Sequence, residues 1–237
     1  MGMKESKSFW SRKRPRGQSL VEFALMLPIL LILLSGLFEF GFIFTAYLSV
    51  LDAARNAARF SSDSAYDTLD DGLPGNSTKF FPRMTAYEAV IELAQEQPTI
   101  TLCIPGAPVS QDCPDPTNNP RDDVIISVFS VLRDTSPAQI VRFPSGTGEN
   151  GWSYDADLMH VGQGGSRTGM HQSQFTTSNI ASMLQSGTPN TGYVLVEINY
   201  NYNQMLGVPW FTQFVGDPIP FHIYALWPCV SAEPTPT

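Results

Sequence analysis

The chain has 237 residues, a net charge of −8 and only 15 % charged residues, well below the quarter usual in soluble domains. The charge is split: residues 1–17 carry six basic side chains against one acidic, and residues 61–237 carry six basic against eighteen acidic. A basic head, an apolar stretch and an acidic body make a membrane-topology pattern, and an acidic body repels phosphates, so no nucleic-acid partner is expected.

Residues 1–17 form a basic leader ending in Arg12–Arg16 and Gly17. The apolar run that follows predicts a membrane span over about residues 23–44, since a bilayer core of roughly 30 Å needs about 20 helical residues. Basic residues before the span place the N-terminus in the cytoplasm and the remainder outside. A cleaved secretory signal would have a shorter apolar core and a small-x-small cleavage site, and SGLFEFG offers none. Pro28 falls in the first turns, where a membrane helix tolerates it. Glu22 stands at the mouth of the run. From position alone two readings stay open: a carboxylate that snorkels to the headgroups beside Arg16, or one paired in an assembly, where a buried charge sets register. Glu39 lies about 25 Å further along a helix. It reads as a carboxylate in contact with water at the outer interface, with a subunit-packing contact as the alternative. Ala53, Ala54, Ala57 and Ala58 then form a small-residue stripe that lets another helix or a sheet approach closely. One helix from Gln18 to about Phe60 is predicted, spanning and then projecting as a stalk.

Residues 61–230 are expected to fold outside as one domain. Asp63, Asp67, Asp70 and Asp71 are acidic but lack a calcium-loop pattern, so they read as a solvated loop. Thr85–Gln97 reads as a helix, with Thr85 and Glu88 as a capping box. Residues 99–104 read as a short strand, and Asp123–Leu132, Tyr193–Tyr202 and Pro220–Trp227 as strong strands. Cys103 and Cys113 flank a proline-rich loop, and an outside location permits a disulfide there. Spacing leaves Cys229 either free or the alternative partner. Residues 144–174 are Gly/Ser-rich. Their Gly162–Gly169 run lacks a phosphate-binding lysine and reads as a surface loop, with His160 and His171 as surface residues. Thr177–Gln185 suggests a short helix. QMLGVPWFTQFVGDP, residues 204–218, reads as a loop folded over the sheet, or as an apolar patch for a partner subunit or the membrane surface. Residues 231–237 read as a disordered tail.

The N-terminal residues carry a resemblance. Gly17-Gln18-Ser19-Leu20-Val21-Glu22-Phe23-Ala24, Pro28, Gly36-Leu37-Phe38-Glu39-Phe40-Gly41 and Ala53-Ala54-Arg55-Asn56-Ala57-Ala58-Arg59 resemble the TadE-like family of Flp/Tad type IV-related pilus assembly proteins. The likeness covers about residues 16–61, with a weak echo in the C-terminal strand–loop–strand. It implies an α+β fold: a long N-terminal transmembrane and stalk helix, then a pilin-like outer domain with an antiparallel sheet. It also implies a prepilin signal cut by a prepilin peptidase between Gly17 and Gln18. Glu22, with Phe23 beside it, would then be the fifth mature residue and face the new α-amino group of a neighbouring subunit.

The function expected is structural: a minor pseudopilin or assembly component of a Tad pilus, held in the inner membrane among other pilin subunits and the Tad machinery. The alternative is a single-pass anchored binding or adhesion domain. No cofactor, metal or catalytic site is expected. The three histidines are scattered, and no G-x-S-x-G, H-E-x-x-H or Cys–His pair stands out.

Overall fold

The helix α1 runs without a break over Gln18–Ser62, 45 residues, or about 67 Å at 1.5 Å per residue. Pro28 lies inside it. Near its end Ser61 Oγ donates to the carbonyl of Ala57 and Ser62 Oγ to that of Arg59, side-chain bonds that fold back onto the preceding turn. The computed structural model describes residues 18–64, 80–96, 102–104, 121–132, 139–143, 151–155, 171–184 and 189–232. Gly17 and the leader, Asp67, Asp70, Asp71, Cys113, His160, the 162–169 run and residues 233–237 lie outside the described residues.

The remaining elements are α2 (Phe80–Glu96), β1 (Asp123–Leu132), β2 (Gln139–Phe143), β3 (Trp152–Ser153), α3 (Thr177–Met183), β4 (Thr191–Tyr202), α4 (Pro209–Val215), β5 (Ile219–Pro228) and a closing 3-10 turn, Val230–Ala232. The sheet is antiparallel in the order β2-β1-β4-β5, with β3 also pairing β1. Register is fixed by pairs such as Val128 with Val194 and Ile198 with Ile223. β1 and β4 are central, and β1 is buried on both faces; a strand covered on both sides needs a continuous apolar run, not an alternating one. The fold is α+β, a long apolar helix followed by an open antiparallel sheet with helices.

Two apolar layers close the sheet. On one face α1 and α2 pack through Ala53, Ala54, Ala57, Ala58, Ala89, Val90 and Leu93 against Val124, Ile126, Val196 and Ile198. The other face carries a smaller cluster of Phe129, Phe175, Ile180 and Leu195. Asn56 Nδ2 donates to Glu92 Oε1 at 2.7 Å and ties α1 to α2.

Four expectations are corrected. The helix α2 starts at Phe80, ahead of Thr85, because Pro82 occupies its first turn, where a missing N–H costs nothing. Thr85 is therefore internal and buried, and its hydroxyl donates to the Phe81 carbonyl, so it caps nothing. Leu102–Ile104 is not a strand. Cys103 N donates to the Asp122 carboxyl, and Cys103 O accepts from Asp122 N; one residue replaces a ladder. Residues 204–218 do not fold over the sheet: they contain α4 and lie against α1. Ser231 and Ala232 belong to the domain. Ala232 is buried, Ser231 Oγ donates to Ser64 O, and a Cβ on Gly192 would stand 2.5 Å from that of Ala232.

Candidate functional site

The helix α1 has two kinds of surface. From Ser19 to Leu34 every residue is exposed, including Glu22 and Phe23. Most of these side chains are large and apolar, and none of them is buried by the rest of the described chain. From Gly36 onward one face disappears: Gly36, Glu39, Ala46, Val50, Ala53, Ala54, Ala57, Ala58 and Ser61 are buried, in the steps of three and four that keep residues on one helix face. The four alanines predicted as a packing stripe are wholly buried inside the protomer, against α2 and the sheet. Gln18 opens the helix.

Glu39 departs from its expectation. It is 0 % exposed, so it is not a carboxylate in contact with water. Its carboxyl group accepts from Met205 N at 3.0 Å, Leu206 N at 2.9 Å and the Tyr202 hydroxyl at 3.3 Å. An acidic group buried without partners would cost several kcal/mol; here the end of β4 turns across the helix and supplies donors. Gly207 and Gly216, both at positive φ, let the chain turn into and out of α4, and Gln204 N donates to Asp217 at the neck.

The contacts continue along the helix in both directions. A Cβ on Gly36 would lie 2.8 Å from the Trp210 ring, so the missing side chain is what lets α4 approach. Phe40 meets Phe211 edge to face, with ring centroids 5.6 Å apart, and Tyr47 meets Phe221 in the same way at 5.9 Å. The G-x-x-E spacing of Gly36 and Glu39 places a gap and an acceptor on one face. That pattern is visible in the sequence; the partner, 167 residues later for Leu206, is not.

Buried carboxyl groups also stand at the start of β1. Asp122 accepts from Cys103 N at 2.6 Å and from Asn201 N at 2.8 Å. Asp123 accepts from Ser153 Oγ at 2.6 Å and Asp155 N at 3.0 Å. Burial pushes Asp122 up to about 6 and Asp123 up to about 7, with the hydrogen bonds pulling each back down. Glu197 in β4 accepts from Ser173 Oγ, Gln174 N and His222 Nε2. His171, expected at the surface, is half-buried with Nε2 2.8 Å from the Arg121 carbonyl. Much of the acceptor capacity of these groups is taken by backbone N–H and hydroxyl donors, which makes them staples between strands and loops. Among the described residues no group of three or more acidic, histidine or cysteine side chains could hold a metal ion. Cys229 is a buried free thiol, so it is not the alternative disulfide partner.

Among the described residues α1 is the one helix long and apolar enough to cross a membrane. Residues 17–59 match the family described as TadE-like protein. No curated protein and no solved structure matches the chain. The match takes in Glu22, the Gly36–Glu39 pair and all four stripe alanines, and it ends before α2 and the sheet begin. Over this segment, less than a fifth of the chain, the sequence is similar to TadE-like proteins, and the segment holds the apolar helix long enough for a single membrane pass.

Proposed function

We propose that the protein is a structural minor pseudopilin or assembly component of a Tad pilus, with no catalytic role. The observation that carries this reading is the TadE-like match over residues 17–59, which begins at Gly17 and includes Glu22. In this reading a prepilin peptidase cuts between Gly17 and Gln18, and Glu22 becomes the fifth mature residue. The N-terminus lies in the cytoplasm, the chain sits in the inner membrane, and the outer domain projects beyond it, where a Cys103–Cys113 disulfide would close the proline-rich loop. The exposed helix surface from Ser19 to Leu34 is supporting evidence, since it is left for lipid while the protein waits and for neighbouring helices once it is incorporated. Pairing Glu22 with a neighbour's α-amino group would offset a burial cost of about 2.5–3.5 kcal/mol on insertion scales and fix subunit stagger.

Intact-mass measurement and N-terminal sequencing of the protein from native membranes test the processing step. The expected mature chain begins at Gln18 when the peptidase is active and keeps its leader when it is not. Glu22→Ala is expected to be processed but not incorporated. An uncut chain in cells with active peptidase would overturn this reading and leave a single-pass anchored binding domain.

A further inference from the structure

We propose that the connection from Met205 to Val215 is a second membrane-contacting element, inserted in the outer leaflet beside α1. The proposal rests on α1 spanning the bilayer, as read above. Depth is the first argument. Phe23 to Gly36 is about 20 Å along a helix, and the hydrocarbon core is about 30 Å thick, so a span starting at Phe23 holds Gly36 about 10 Å below the outer boundary. Trp210 packs on Gly36 and therefore shares that depth.

Composition is the second. From Met205 to Gly216 there is no charged side chain, and Asp217 follows at the neck where the chain returns to the sheet. Met205 is 62 % exposed, Phe214 87 %, and Leu206 and Val215 are also exposed. These side chains continue the lipid-facing surface of α1, where Leu37, Phe38, Phe42 and Phe44 are exposed at the same level. A phenylalanine this bare is costly in water and favoured in hydrocarbon.

The third argument is polar bookkeeping. Backbone can enter hydrocarbon only with its donors satisfied. Met205 N and Leu206 N donate to Glu39, Phe211 N and Thr212 N to Val208 O, and Gly216 N to Thr212 O. Pro209, at the start of α4, has no N–H. Glu39 thus serves two ends: the turn shields its carboxyl group, and it accepts from two of the turn's amides. A short apolar helix at the interface with most of its backbone donors bonded suits a monotopic membrane element.

The test uses the full-length chain in vesicles of phosphatidylcholine and phosphatidylglycerol, with a nitroxide on Phe214→Cys, Leu30→Cys or Tyr224→Cys. The unsubstituted chain is treated in parallel to show that native cysteines stay unlabelled. Accessibility to oxygen, which partitions into lipid, is compared with accessibility to a water-soluble nickel chelate. The expected result is an oxygen-to-nickel ratio at 214 close to that at 30 and severalfold above that at 224. A ratio at 214 equal to that at 224, with 30 still in lipid, overturns leaflet insertion and leaves the single span intact. A ratio at 30 as low as at 224 overturns the span and the insertion together. An immobilised label at 214, screened from both reagents, also overturns the proposal and assigns the surface to a second copy of the chain.

Discussion

Residues 19–34 and 46–61 belong to one unbroken helix, the first with one charged side chain, Glu22, and the second with three, Asp52, Arg55 and Arg59, and they have opposite fates. The first stretch is exposed on every side and built from Leu, Ile, Phe and Met. The second is buried along one face and built there from Ala, Val and Ser. The first is the more apolar, but apolarity alone does not decide what covers them: the face that the rest of the chain buries is the one built from small side chains. Small residues let the sheet and α2 come within close-packing distance, while the large ones stand clear of the rest of the described chain. Between the two, Gly36 and Glu39 mark where the sheet domain first takes hold.

The contrast breaks most severely if the small stretch is given a large side chain. Ala54→Leu places three extra carbons where no space exists, and should cost about 3 kcal/mol, near the upper end for overpacking. Denaturant unfolding of the sheet domain in detergent micelles would read this as a lowered midpoint with an unchanged slope. Glu39→Ala attacks the junction. It strands the Met205 and Leu206 amides and should cost about 2 kcal/mol, with amide exchange at those two residues accelerating more than exchange in β1.

A pH series sharpens the comparison, because the sheet domain holds buried carboxyl groups that the exposed stretch lacks. Asp122 and Asp123 keep their protons in the folded chain up to about 6 and about 7, whereas the unfolded chain releases them near 4. The folded state binds more protons across that window, so these groups make stability fall as pH rises from about 4 to about 7. The slope between pH 5 and 6 should be on the order of 1 kcal/mol per unit, and Asp123→Asn should flatten it. The smallest effect is the sharpest control. Leu33→Ala lies on the exposed stretch and should change the stability of the sheet domain by less than about 0.5 kcal/mol.

The long helix and three strands were legible because each is a continuous run whose period and length admit one reading. β2 and β3 were not. β2 is five residues with Arg142 in it, and that arginine is tolerated because its guanidinium reaches Ser127 Oγ at 2.6 Å and the Phe175 carbonyl at 3.0 Å. β3 is two residues long, too short for any periodicity. The start of α2 was misplaced because a capping-box spelling sat inside a helix that a proline had already opened. At the site, Glu22 and the alanine stripe stand out from the sequence alone. The role of Glu39 does not, since its donors come from the far end of the chain and include two backbone amides that no residue type advertises.

The buried stripe on α1 has a mechanical meaning. It runs from Gly36 to Ser61, about 38 Å along the helix axis, and the rest of the chain packs along that length. A pull along the axis, as on a subunit in a filament under tension, would load these contacts in parallel as shear. Peeling from one end would instead open them one at a time. With Glu39 bonded at the lower end and Ser64 accepting from Ser231 near the upper end, neither end is an easy place for a peel to begin.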